Sequence, residues 1–228
     1  MSFSDFSFLP QYYGFFIEGA KVTLILSFFT VIFGVILGVL IALMRLSNLW
    51  PLKFFAASYV EFIRGTPVLV QVYLFYYGLP AVGIEFPEVP FLGSNFPDMM
   101  AAILALSINS SAYVAETFRA GIQAIDKGQM EAGRSLGLPH AMVMWNIILP
   151  QALRNILPAL GNEFIVVIKE SSIVSVIGIG ELMYKADTIK GNTYQAFPPL
   201  IVVAVIYFII TFTLSKLLGV AERRMKTH

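Results

Sequence analysis

The chain has 228 residues, 57% of them apolar and only 13% charged, with a mean hydropathy of +0.78. That charged share is about half the usual soluble level, and a soluble domain of this size could not hide so much apolar surface, so composition points to one integral membrane domain. The formal net charge of +1 offers no footing for nucleic acid, and the lack of cysteine excludes disulfides, thiolate metal sites and thiol catalysis.

Residues 1–10 carry neither a basic n-region nor a small-residue cleavage site, so no removable signal peptide is expected. Residues 4–18 are rich in aromatics, from Phe6 and Phe8 to Phe15 and Phe16, which suits an interfacial helix or an aromatic belt on the outer face. Residues 22–44 form an uncharged run of 23 positions, enough for a tilted crossing of about 30 Å of hydrocarbon. It contains Gly34-x-x-x-Gly38, a small-residue face read as packing within one bundle rather than as a dimer seam.

The next uncharged run is 65–84; its helix is expected to begin near Phe54, to include Glu61 and Arg64, and to end at Pro80 and the loop 85–98. Residues 99–115 make a third run, followed by Glu116 and Arg119. Residues 155–180 make a fourth, interrupted by Glu163, Lys169 and Glu170, and 192–215 a fifth, before a polar end at 222–226. The expected architecture is an all-α integral membrane protein, a single domain over 1–228, with five transmembrane helices at about 18–45, 54–79, 98–120, 155–180 and 193–217.

Loop charge sets the expected orientation. Arg45 and Lys53 follow the first span, Arg119, Lys127, Arg134 and Arg154 the third, and Lys216, Arg223, Arg224 and Lys226 the fifth. The other side has only Lys21, Lys185 and Lys190. The positive-inside rule then puts the N-terminus outside and the C-terminus in the cytoplasm, together with the loop at about 126–150.

That loop has a distinctive pattern: Glu131-Ala132-Gly133, three residues, Gly137, nine residues, then Ile147-x-Leu149-Pro150. Glu131 and Arg134 share a helix face three residues apart, and Gly137 and Pro139 would end the short helix and turn the chain. A second helix then carries Trp145, Ile147, Ile148 and Leu149 back toward the membrane. Physically this is a helix offered to a groove on a partner, with Ala132 and Gly133 allowing close approach and Glu131 serving as a cap or in an ion pair.

Polar groups within the spans are costly, about 2.5–3.5 kcal/mol per charge on insertion scales, and should face the bundle interior or water. Glu61 and Arg64 can pair on one face, which favours a structural role. Glu163 and Glu170 lie on nearly the same face, and adjacent Lys169 and Glu170 cannot pair with each other. Glu163, Lys169 and Glu170 either meet the charged ends of a zwitterion in transit or hold the bundle together. Asn109 and Tyr113 could line a path or bond across helices. Gln71 belongs to a polar-aromatic stripe with Tyr73, Tyr76 and Tyr77 that reads mainly as packing.

The Glu131–Pro150 pattern resembles the "EAA loop" of ABC importer permeases, with Gly133 where that pattern has Ala. Glu61-Phe62-Ile63-Arg64-Gly65-Thr66-Pro67, continuing to Gln71, resembles the second-helix signature of the polar amino acid permeases. Ala112-Tyr113-x-x-Glu116-x-x-Arg119-Ala120-Gly121 resembles the third-helix signature. Lys169-Glu170-Ser171-Ser172 with Glu181-Leu182 resembles a Lys-Asp-Thr-Ser…Glu-Leu block, with conservative departures at Glu170 and Ser171. The resemblance runs from about residue 15 to the C-terminus.

It implies a non-enzymatic permease subunit in a bacterial cytoplasmic membrane that carries a polar amino acid through the lipid bilayer. It also implies a dimer of ATP-binding subunits, a second permease subunit, identical or homologous, and an extracytoplasmic solute-binding protein. No phosphate-binding Gly-x-x-x-x-Gly-Lys-Ser/Thr loop is present, so ATP and Mg are expected on the partner ATPase and no cofactor in this chain. His140 and His228 are too far apart in sequence for a zinc site, and no catalytic constellation stands out. The alternative, an ion-gradient-driven secondary transporter, would usually show inverted repeats, and none is visible. The acidic excess of Glu163 and Glu170 over Lys169 hints at a cationic substrate.

Overall fold

The computed structural model describes residues 6–87 and 96–226, with side chains as far as Arg223. The expectations for residues 1–5, for 88–95 of the outer loop and for the last residues fall outside the described residues. Every regular element among the described residues is helical.

The first helix, α1 (Leu9–Leu46), is 38 residues long, about 57 Å at 1.5 Å per residue, and so exceeds the hydrocarbon thickness. It starts well before the expected position 18 because Pro10 sits in its first turn, where a missing N–H costs nothing. Residues 9–18 of the aromatic segment are therefore part of α1, and its rings divide between buried and exposed positions. Phe8 and Phe16 are buried against Leu182, Ala186, Ile189 and Val203, while Tyr13 is exposed.

The second expected span is not one helix. It is split into α2 (Trp50–Gly65) and α3 (Val68–Ala81), with Thr66 and Pro67 extended between them. Pro67 has no N–H for a helical bond, and its ring pushes Thr66 into the β region, where φ is −112° and ψ 141°. The third span matches well: α4 (Phe96–Gln123) is a continuous, apolar helix.

After α4 come a short helix, α5 (Lys127–Ser135), then α6 (His140–Val143), a π-helical turn at Met144–Ile148, and α7 (Leu149–Glu170). The π turn lies just ahead of Pro150, which cannot donate to the preceding turn and would crowd its carbonyl in a regular helix. The fourth expected span, 155–180, is a regular helix only as far as Glu170. It tightens into a 3₁₀ segment at Ser171–Ile177 and stops at Gly178, with φ +86°. Ser171, Ser172 and Ser175 each turn a hydroxyl onto a carbonyl three residues back, which supports the tighter winding.

A helix not expected from the apolar runs follows: α8 (Leu182–Thr193). Its buried residues, Leu182, Ala186 and Ile189, recur at helical spacing, but the helix is short and polar on its other face. Finally α9 (Phe197–Lys226) begins a little after the expected 193 because Tyr194 takes a left-handed conformation that breaks the chain from α8. Among the described residues three helices are long and apolar enough to cross a membrane by themselves: Leu9–Leu46, Phe96–Gln123 and Phe197–Arg223.

The centre of the bundle is the parallel pair α1 and α4. A Cβ on Gly38 would lie 2.6 Å from Val114 Cβ and 2.8 Å from the Ser111 carbonyl oxygen; one on Gly34 would lie 3.1 Å from Ser110 Cβ. The Gly34-x-x-x-Gly38 face thus packs inside the chain, as expected. Apolar layers continue this contact: Leu26, Ala102 and Leu106 with Val72 and Val174 at mid-bundle, and Ile41, Ala42, Ala112 and Ala115 with Ala56 and Val60 toward the end of α1.

Replacing Gly38 by Ala should force α1 from α4 and cost about 1–3 kcal/mol, as overpacking does. Gly34→Ala, with more room, should cost less. Thermal unfolding in detergent, followed by fluorescence-detected size exclusion, checks the order; equal midpoints for the two variants would contradict it.

Candidate functional site

The loop between α4 and α7 is built from local signals. Asp126, not Glu131, caps α5: its carboxylate accepts the Gly128 N–H at 2.7 Å. Glu131 is exposed and forms no ion pair among the described residues, so the expected cap or salt bridge is absent. Its face partner Arg134 donates instead to the Leu138 carbonyl at 3.1 Å. The end of α5 forms a paired set of bonds, Leu138 N–H to Gly133 O and Gly137 N–H to Arg134 O. This closure needs a left-handed residue at its turn, and Gly137 supplies it with φ +83°.

Gly133 is buried, and a Cβ there would lie 2.7 Å from Val143 Cγ2. The glycine that departs from the Ala of the loop pattern therefore lets α5 press onto α6. Ala132 is exposed, Ile147 and Leu149 are half-buried, Ile148 is buried and Pro150 is exposed. Leu136 and Trp145 are 81% and 67% exposed. α5 is thus a polar helix fixed on its rear side, with large apolar side chains displayed beside it.

The polar groups expected inside the spans separate into bonded and unbonded sets. The Gln71 amide nitrogen donates to Ile63 O at 2.8 Å, Thr66 O at 3.1 Å and Thr66 Oγ1 at 2.8 Å. Its oxygen accepts from Asn109 Nδ2 at 3.0 Å. Gln71 therefore serves the carbonyls left open by the break between α2 and α3, and Asn109 holds it from α4. Both are buried, so neither is a surface group of a path in the single chain. Tyr59 makes a parallel link, donating to Ile108 O at 3.1 Å beside Ser111 Oγ at 2.7 Å.

Ser110 donates to Glu163 at 2.9 Å, joining α4 to α7. The expected Glu61–Arg64 pair does not form; the Arg64 guanidinium instead lies over the Tyr113 ring, 5.5 Å from its centre. Glu61, Arg64 and Lys169 are exposed, and Glu170 is half-buried. Lys169 and Glu170 form no ion pair among the described residues.

Two networks were not anticipated. Glu116 binds both Arg45 of α1 and Arg119 of its own helix; the spacing of Glu116 and Arg119 was the available signal. Glu181, fully buried, caps α8 by accepting the Tyr184 N–H at 2.8 Å and also accepts the Tyr207 hydroxyl at 2.7 Å. A Glu immediately before an apolar position, three residues from Tyr184, was legible as a cap only once α8 itself was recognised. No cluster of His, Cys, Asp or Glu suited to a metal ion occurs among the described residues.

Residues 34–227 match the family described as "Binding-protein-dependent transport system inner membrane component". The chain belongs to this family. Its relatives include the arginine transport system permease protein ArtQ of Bacillus subtilis (strain 168), 40% identical over 98% of both chains. An amino acid ABC transporter crystallised with histidines has a chain 53% identical to this one, with a TM-score of 0.87 over 95% of this chain and 96% of its own. The inward-facing MetNI methionine ABC transporter shares the fold, with a TM-score of 0.74 at 19% identity over 94% and 98%. This ABC permease subunit is accordingly a multi-pass membrane protein whose family works with ATPase and binding-protein partners.

Gln71→Leu should strand buried carbonyls and the Asn109 amide, at about 1–3 kcal/mol for each unpaired group. Asn109→Leu should cost less, and the double variant should cost less than the sum of the two. Unfolding midpoints of the three variants check this; strict additivity would show that the two side chains do not act together.

Proposed function

We propose that this subunit moves a polar amino acid into a bacterium across the cytoplasmic membrane by alternating access, driven by ATP that a separate subunit hydrolyses. The single domain 1–228 crosses five times, with α2–α3 together making the second crossing and α7 with its 3₁₀ extension the fourth. Broken spans are tolerated because Gln71 and the serines after Glu170 supply partners for the freed backbone groups. The N-terminus lies outside and the C-terminus in the cytoplasm, in keeping with the basic residues near Arg45, Arg119 and Arg134.

The observation that carries this reading is α5. It is a short polar helix closed by Gly137, backed by Val143 and flanked by exposed Leu136 and Trp145. Such a helix fits a groove on an ATPase. Glu131, Ala132, Gly133, Gly137, Ile147, Leu149 and Pro150 form or support this contact. ATP and Mg bind to the partner, which works as a dimer beside two permease subunits, and an extracytoplasmic binding protein delivers the solute. ATP closure draws the docking helices together, and the bundle rocks between two states of different affinity.

The substrate face is read from α7. Gln151, Asn155, Asn162 and Lys169 all fall on one exposed face, at spacings of four and seven. A polar face at membrane depth should meet protein or water, not lipid. With Glu163, Glu170, Tyr113, Glu61 and Arg64 it borders the path where two permeases meet. Gln71 and Asn109 support that path from behind. Acidic Glu163 and Glu170 favour a cationic side chain. The amino acid permeases among the relatives give no support to an ion-gradient mechanism.

The natural chain has no cysteine, so single-cysteine variants report cleanly. Leu136→Cys should react with a membrane-impermeant maleimide in inside-out vesicles only; labelling from outside would refute the docking reading. In proteoliposomes with the ATPase and binding protein, uptake should need ATP and no ion gradient. Glu163→Gln should lower uptake of a cationic amino acid about tenfold, near 1.4 kcal/mol, with an unchanged unfolding midpoint. A fall in the midpoint with intact uptake would assign Glu163 to the bundle instead.

A further inference from the structure

We propose that the pocket between the end of α1, the start of α2 and the end of α4 binds a phosphate-bearing anion at the membrane surface, in the form of an anionic phospholipid headgroup. The pocket encloses about 370 Å³ and is lined by Arg45, Ser47, Asn48, Lys53, Arg119 and Gln123. Its size falls within the range of small-ligand sites, about 300–1,000 Å³.

The charge is unbalanced. Arg45 and Arg119 share one carboxylate, Glu116. Arg45 uses only Nη1 for that contact, so its remaining N–H groups are free to donate. Lys53 is exposed and forms no ion pair among the described residues. Three cations therefore face one anion. Ser47 and Asn48 add polar groups, and the Ser47 hydroxyl is fixed by accepting the Leu49 N–H at 3.1 Å.

The surroundings identify the carrier of the phosphate. Trp50 and Phe54 stack beside the pocket with ring centres 5.5 Å apart, and both are exposed, as are Leu46, Leu49 and Phe55. This apolar rim runs into the exposed apolar face of α1 at Leu43 and Leu40. A headgroup in the basic pocket would leave its acyl chains along that rim and would put Trp50 at the membrane–water interface, the depth tryptophan favours. Basic pockets between membrane helices on the cytoplasmic side are suited to such headgroups. A soluble phosphate would use the same cations but not the rim.

The inference rests on the orientation proposed above. Its test reads lipid retention whichever leaflet the pocket faces, so a wrong orientation and an absent site give different results. The intact purified transporter is titrated with phosphatidylglycerol, phosphatidylcholine or inorganic phosphate and examined by native mass spectrometry. Wild type should retain phosphatidylglycerol in preference to phosphatidylcholine. Lys53→Gln should weaken that retention about fivefold and Lys53→Glu roughly 25-fold, at about one charge's surface contribution per step.

Lys216→Glu, on exposed α9, should leave it unchanged. Preference for phosphatidylglycerol that millimolar phosphate does not displace assigns the lipid headgroup. Phosphate binding lost in Lys53→Glu without a lipid preference assigns the same pocket to a soluble phosphate. Equal retention of both lipids with no phosphate binding overturns the proposal, as does an equal effect of Lys216→Glu and Lys53→Glu.

Discussion

The close approach of α1 to α4 holds this molecule together. In a bilayer no hydrophobic force drives one apolar helix onto another, so association depends on contact distance and on polar links. Gly34 and Gly38 bring the backbone of α1 within reach of Ser110, Ser111 and Val114, leaving no space for a side chain at Gly38. With that seam closed, Ser107 reaches the Thr30 carbonyl and Arg45 reaches Glu116. α4 then presents its other sides to α2, α3 and α7, and takes polar links from Thr30, Arg45, Tyr59, Gln71 and Glu163.

The second constraint is that backbone polar groups must find partners where water is scarce. Pro67 breaks one span and the sequence after Glu170 tightens another. Each defect is answered locally. Gln71 covers the carbonyls near Thr66 and is itself fixed by Asn109, so the break is a defined joint between two short helices. The serine hydroxyls after α7 make the same kind of repair over one 3₁₀ segment. Joints of this kind let a span change direction without exposing unpaired groups, which suits a bundle that rocks between two states.

The two ends of the bundle serve different work. At one end α5 is pinned by Asp126, Gly133 and Gly137, so it is a fixed part of the bundle rather than a loose loop. Between the ends, α7 turns a polar stripe outward, which a lone chain in lipid would not keep without a partner or water. At the other end Glu181 ties α8 to α9 through Tyr207. Helix α5 packs through Gly133 on α6, which runs on through the π turn into α7 and its polar stripe.

Much was legible without coordinates. Long uncharged runs, glycines four apart, the biased placement of Lys and Arg, and the spaced residues of the α5 loop follow from composition and period, because lipid and helix geometry impose them on any sequence. The partners of polar groups were not legible. Glu61 and Arg64 had the spacing of a pair, yet Arg64 lies over Tyr113, a residue 49 positions away in the chain. Gln71 looked like one member of a stripe until the carbonyls it serves were in place, and Glu131 looked like a cap until Asp126 took that role. Helix α8 was hidden because its apolar side is only three residues wide and is buried by α9 and by α1, which is distant in sequence. Sequence alone thus determined where most of the helices form and where the chain turns between α4 and α7, since those depend on local chemistry. Tertiary structure decided which polar group meets which, since a hydrogen bond needs two atoms within about 3 Å and only the packed helices bring them there.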